Sequence, residues 1–288
     1  MRYHITVMRP DGPDGFYSNA FNEVCETLAY GLLALGHEVS HKRNRFVAAA
    51  QNIVLGPQFV DSSSEFPEGT ILYNLEPIGG NPHMLMSPEL SRRYTIWDYS
   101  PANIAYWHQH DIDAICVPVG YVRELTRIIP APRPDIDVLF FGSVNSRRAK
   151  IIGQLQEALG ERMMVLQRFG RMRDDAISRS RIVLNLHYYD SPRIFEWVRT
   201  SYLLANMKCV VSETSDDFPL ALVGAVADVP YDKLVEECLR LLDATEERLC
   251  YQERGFHLFS KIREIDILKA ALCKTDSQHS AHESRVSA

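Results

Sequence analysis

Short apolar runs of strand length recur along the chain, and helical stretches fit between some of them. The runs are Ile5–Met8, Asn52–Leu55, Thr70–Leu75, Tyr94–Trp97, Ala114–Val117, Ile136–Phe141, Met163–Gln167, Ile182–Leu186, Cys209–Ser212 and Ala225–Val229. Another strand starts at Glu38–His41. Buried strands that alternate with helices make a mostly parallel sheet covered on both faces. The expected class is therefore α/β. A helix with Ala20, Phe21, Val24, Leu28, Leu32 and Leu35 on one face is predicted to stop at Gly36. Further helices are expected over 101–110, 146–159 and 174–180, and almost throughout 231–272. No apolar run is long enough to span a bilayer.

At 288 residues, the chain is long for one core and natural for two α/β domains. The segment 129–134, Ile-Pro-Ala-Pro-Arg-Pro, is the best linker, because its prolines fit neither a helix nor a central strand. The expected division is 1–129, a linker at 130–134, a second domain at 135–245, a helical segment at 246–274 and a disordered tail at 275–288. The N-terminus enters a strand pattern directly, with no signal-peptide pattern. The six cysteines form no CxxC pair and read as thiols of a reducing compartment, so a cytoplasmic location is expected.

Residues 181–213 carry the densest functional pattern. A strand ends in His187, Tyr188 and Tyr189, and Ser191-Pro192 reads as a helix start. Arg193, Glu196 and Arg199, three apart, form a charged stripe beside the apolar Ile194, Phe195, Val198 and Leu203. A second strand then ends at Glu213. This βαβ unit begins its helix at the carboxyl end of a strand, where open α/β sheets bind ligands.

The net charge of −6 argues against a general nucleic-acid binder. Residues 141–181 nonetheless hold nine basic against four acidic residues, a local field suited to a compact anion such as a diphosphate. Gly142 and Ser143 make a small-residue turn after a strand. Arg147, Arg148 and Lys150 lie in the first turns of the next helix, where the dipole disfavours cations. An anion held between them and the backbone amides explains that placement. In the first half, Glu76 and Asp98 end strands and could line a cleft. The patterns Asp111-Ile-Asp113 and Asp135-Ile-Asp137 are read as strand-edge solvation rather than metal ligands. No GxGxxG fingerprint occurs.

Leu35–Val39, Phe141–Ser143 and the IVLNLHYY…RIFEWVR…VVSE stretch together resemble glycosyltransferases of the GT-B fold, close to bacterial family-1/family-4-like enzymes and the CgeB-like group. The resemblance implies two Rossmann-like domains with parallel sheets facing a cleft, the first on the acceptor side and the second binding a nucleotide-sugar donor. It implies that Glu196 takes the ribose hydroxyls, and that Gly142, Ser143, Arg147 and Lys150 hold the diphosphate. His187, Tyr188, Arg193 and Arg199 complete the expected donor site. The Glu-x7-Glu spacing is absent, since Tyr188 stands eight residues before Glu196. His187 lies near the vacated position and is a catalytic candidate, with Glu76 and Asp98 as candidate bases.

The expected activity is metal-independent transfer of a sugar to a glycan or other small acceptor, as in polysaccharide biosynthesis. No cofactor and no nucleic-acid partner are expected, and peripheral membrane contact is compatible. A catalytically decayed scaffold and a nucleotide-sugar epimerase of the same fold are the alternatives.

Overall fold

The computed structural model describes residues 1–12, 14–61, 63–81 and 85–286. The chain divides into two compact units, residues 1–122 with 262–288, and residues 123–261.

Unit 1 holds six strands: β1 (Arg2–Val7), β2 (Glu38–Arg43), β3 (Gln51–Leu55), β4 (Ile71–Asn74), β5 (Thr95–Asp98) and β6 (Ile115–Cys116). All pair in parallel, in the order β2-β1-β3-β4-β5-β6. Its helices include α1 (Asp14–Tyr17), α2 (Asn22–Ala34), α3 (Pro88–Ser91) and α4 (Pro101–Gln109). Ser100 caps α4 through its side chain and Pro101 occupies the first turn, in the helix expected over 101–110.

Unit 2 holds β7 (Ile136–Phe141), α5 (Ser146–Leu159), β8 (Met163–Leu166), α6 (Arg171–Arg179), β9 (Ser180–Asn185), α7 (Trp197–Ala205), β10 (Cys209–Glu213), β11 (Ala227–Val229), α8 (Leu234–Asp243) and α9 (Thr245–Phe259). Its sheet is also parallel, in the order β11-β10-β9-β7-β8. Val138, Phe140, Ile151, Leu155, Leu184, Val211 and Leu241 form part of its core. Burying each such large side chain contributes about 1.5–3 kcal/mol. The direction of winding reverses between β7 and β9. A crevice therefore opens at their carboxyl ends, the usual ligand position in such sheets.

Three expectations give way. The proline segment is not a free linker: Ser178 Oγ donates to Ile129 O at 2.6 Å and Ala131 N donates to Ser178 O at 3.1 Å, so it lies on unit 2. The helix of the 181–213 stretch does not start at Ser191-Pro192, whose peptide is cis; α7 begins at Trp197 with Glu196 as its cap residue. The tail expected from Thr275 is instead helical. The helix α10 (Glu264–Val286) places Glu264, Leu268, Ala271, Leu272 and Thr275 on one buried face. Thr275 Oγ1 accepts from Trp97 Nε1 at 3.0 Å. Gly31 of α2 admits the close crossing, since a Cβ there would lie 2.6 Å from Leu268 Cδ1. The expected helical segment 246–274 is thus split, with α9 in unit 2 and α10 in unit 1. Residues 287 and 288 of the expected tail lie outside the described residues.

Candidate functional site

Gly142 leaves the end of β7 at φ +134°, a left-handed conformation that favours glycine. A Cβ on it would sit 3.1 Å from Arg199 Nη2 and 3.9 Å from Arg148 Nη1. Two guanidiniums thus converge on a bare stretch of backbone at the β7–β9 crevice.

Arg148 reaches this place because it shares a helix face with Ile151, Ile152, Leu155 and Leu159, all buried. It is only 3% exposed. Its guanidinium donates to three backbone carbonyls: Ser143 O at 2.8 Å, His187 O at 3.2 Å and Leu186 O. No carboxylate hydrogen-bonds to it among the described residues. Burial, and then the neighbouring Arg199 charge, lower its pKa to about 10, against the weaker support of Glu196. Both effects disfavour a lone buried cation, and an incoming anion relieves them.

Arg199, in the first turn of α7, donates to Asn185 Oδ1 at 2.6 Å, and Asn185 is itself fixed by its amide's bond to Ser212 Oγ at 2.9 Å. The Arg199 guanidinium lies 5.8 Å from the Phe140 ring and 5.6 Å from that of Phe141. Its Nε is buried with no hydrogen-bond partner among the described residues. An unmet buried donor costs about 1–3 kcal/mol, which an anionic acceptor would remove. Tyr188 closes one side, its ring centroid 5.1 Å from the Arg148 guanidinium and its carbonyl bonded by Asn145 Nδ2 at 2.7 Å.

Glu196 stands beside this pair. As the cap residue, it accepts from Arg199 N at 3.1 Å and Thr200 N at 2.9 Å through its backbone carbonyl. Its half-buried carboxylate makes no hydrogen bond or ion pair among the described residues, though it supports the charge of Arg148. The charged stripe does not close on itself: Arg193 pairs with Asp216 at 2.6 Å and Arg199 with Asn185, so neither braces Glu196.

The other expected diphosphate cations are placed differently. Arg147 is engaged by carboxylates: Nη1 donates to Glu213 Oε2 at 2.8 Å, Nη2 to Glu213 Oε1, and Nε to Asp190. Burial works against its charge, but the bonds to Glu213 and Asp190 outweigh it and hold its pKa above the ordinary value. Lys150 is exposed and makes no such contact. Ser143 contributes its carbonyl to Arg148. His187 takes part through its backbone, its N–H meeting Glu213 Oε2 at 3.2 Å and its carbonyl the two arginines. Its buried ring instead meets Ser215 Oγ at 3.2 Å.

In unit 1, Asp98 is 0% exposed and accepts four donors: Asn74 Nδ2 at 2.7 Å, Trp107 Nε1 at 2.8 Å, Asn103 Nδ2 at 2.9 Å and Ser100 N at 3.0 Å. This is a structural hub joining β4, β5 and α4, not a solvent-facing base. Glu76 is half-buried, with Gln58 Nε2 at 3.5 Å.

Arg148 is expected as one of the cations opening its helix but not among the residues assigned to the donor, and Asn185 and Glu213 are outside the expected site. The signal for Arg148 was its position on the apolar stripe of α5. Asn185 and Glu213 carry none beyond ending their strands. Asp135 and Asp137 pair with arginines: Asp135 with Arg179, Asp137 with Arg162 and Arg181. Among the described residues, no group of three or more His, Cys, Asp or Glu side chains could hold a metal ion. Nor is any helix there long and apolar enough to cross a membrane.

Solved structures share this architecture. HepE of Anabaena, determined with UDP-glucose, superposes with a TM-score of 0.64 at 11% identity, over 96% of this chain and all of HepE. WaaG, a glycosyltransferase involved in lipopolysaccharide biosynthesis, gives 0.57 at 10% identity, over 94% of this chain and 98% of WaaG. The chain has the GT-B fold. No family model matches the sequence. Curated relatives include the uncharacterized proteins R358 and L140 of Acanthamoeba polyphaga mimivirus, 29% and 28% identical over 59% and 60% of this chain. The matched region spans about three fifths of each relative's length, 61% and 59%.

Proposed function

We propose that the protein is a glycosyltransferase using a nucleoside-diphosphate sugar. In this reading the donor's diphosphate lies over Gly142 and Ser143, facing Arg148 and Arg199, and Glu196 takes the ribose hydroxyls. The observation that carries it is the pair of guanidiniums, neither hydrogen-bonded to a carboxylate among the described residues, converging on Gly142 at the β7–β9 switch point. Fixed cations stabilise a departing diphosphate without a metal ion. A carboxylate accepts two hydrogen bonds side by side, which matches a vicinal diol. The acceptor is a glycan or another hydroxyl-bearing molecule, and Glu76 is the remaining candidate base in unit 1.

The test is a thermal-shift panel of UDP, GDP, ADP, CMP and dTDP, followed by turnover with the matching sugar nucleotides. Saturation at a hundred times the dissociation constant should stabilise by about 2.7 kcal/mol. Stabilisation without turnover for any acceptor would favour the scaffold reading, to which the absent Glu-x7-Glu acid lends weight. No shift with any nucleotide would remove the donor site.

A further inference from the structure

Unit 1 carries a second cationic surface that the donor reading does not use. The strand β2 lies at the sheet edge, and Ser40–Arg43 are exposed along it. Lys42, Arg43 and Arg45 cluster at its carboxyl end, and Arg9 follows the adjacent β1. Asn44 ties the two chain exits together: Arg9 N donates to Asn44 Oδ1 at 2.7 Å, and Asn44 Nδ2 donates to Arg9 O at 2.8 Å. The Arg9 side chain lies along Gly15, where a Cβ would sit 3.2 Å from its Cγ and Nε. Arg43 Nη2 is held by the side-chain oxygens of Asn19 at 2.7 Å and Asn22 at 3.1 Å.

None of Arg9, Lys42, Arg43 and Arg45 has a carboxylate partner among the described residues. At the opposite end of β1 and β2, by contrast, Arg2 is paired with Glu38 at 3.1 Å. Phe16 and Tyr17 stand exposed on the same strand–helix connection, their ring centroids 5.7 Å apart. A single lysine suffices to protect an edge strand. Four cations without a carboxylate partner among the described residues, at the carboxyl ends of β1 and β2 and beside exposed aromatics, make a surface for an anionic ligand.

We infer that this rim of unit 1, built from Arg9, Lys42, Arg43 and Arg45 with Phe16 and Tyr17, binds an acidic glycan, the acceptor of the proposed transfer. Only the word acceptor rests on the proposed function; the binding stands on the rim itself. Guanidinium forks match carboxylate and phosphate groups, and the aromatic rings cover the apolar faces of sugar rings. A nucleic-acid strand fits less well. Its charge repeats about every 3.4 Å per strand, so a long strand would run from this short rim onto the surface of a chain of net charge −6.

The experiment measures binding of hexagalacturonate, its methyl ester and a ten-nucleotide single-stranded DNA to the full chain, with the UDP thermal shift read on the same samples. Hexagalacturonate should bind with an affinity that falls as salt rises, and the neutral ester far more weakly. Arg43→Ala with Arg45→Ala should weaken hexagalacturonate binding about 5- to 10-fold. The melting temperature and the UDP shift should stay unchanged, and lysine at both positions should restore part of the binding. Equal binding of acid and ester, no measurable binding of the acid, an unaffected double variant, or tighter binding of DNA would each overturn the inference. Loss of the UDP shift with glycan binding intact would count against the donor site alone.

Discussion

Glu213→Gln tests whether Arg147 is scaffold or ligand. Glu213 is 1% exposed and receives both terminal nitrogens of Arg147, together with the His187 N–H. The amide is close in shape but neutral, and its NH2 group would face a donor. Breaking a buried ion pair from one side costs about 3–5 kcal/mol, because the partner charge is stranded. Arg147 keeps its bond to Asp190, but that carboxylate is 89% exposed and contributes at most ~1 kcal/mol. The expected loss is therefore about 3 kcal/mol, a fall in Tm of roughly 6–12 °C for a unit of this size. Urea and thermal unfolding of the wild type and the Glu213→Gln variant check the value. Arg147→Met combined with Glu213→Gln should recover part of the loss, since neither charge is then stranded. In the folded variants, UDP and uridine binding should change in parallel. A loss below about 1 kcal/mol, or strict additivity in the double variant, would refute the scaffold role. Selective loss of UDP binding would return Arg147 to the diphosphate.

Gly142→Ala places a Cβ in the left-handed region against Arg199, so about 1–3 kcal/mol of strain and a displaced guanidinium are expected. Calorimetry should show diphosphate binding falling more than nucleoside binding. Glu196→Ala should abolish a preference of the wild type for ribo- over 2′-deoxyribonucleotides while leaving the fold intact; equal wild-type binding of both sugars would end the ribose assignment. Burial pushes Asp98 up to about 7 against its four donors, and Glu264 up to about 7 against its bond from Gly120 N. Folded values above the unfolded ones mean stability that is full below pH ~4 and lost as pH rises through about 7. Unit 1 should unfold at lower urea concentration at pH 8 than at pH 5.5, and Glu264→Gln should flatten that slope; a rise across this window contradicts the argument.

The α/β class and most elements were readable from local pattern, since apolar period and cap chemistry act within a few residues. Ile136–Phe141 and the helix 146–159 coincide with β7 and α5. The early stop before Thr275 arose because the buried stripe of α10 ends in a threonine, polar by type yet satisfied by Trp97 and by the carbonyl of Ala271. The helix start at Ser191-Pro192 obeyed local capping chemistry, but the chain runs on without helix to Trp197. There Phe195 N is tied to Asp217 and Arg193 to Asp216, partners more than twenty residues away. The same distance in sequence hid the division of labour among the cations. Arg147 and Arg148 are adjacent and chemically alike. A helix step of about 100° turns one to Glu213, beyond two further strands, and the other to the carbonyls ending β9 and the glycine ending β7. Residue type and spacing state that cations gather at the start of α5; only the parallel stacking of β7, β9 and β10 decides which of them is neutralised by a carboxylate and which meets backbone carbonyls alone.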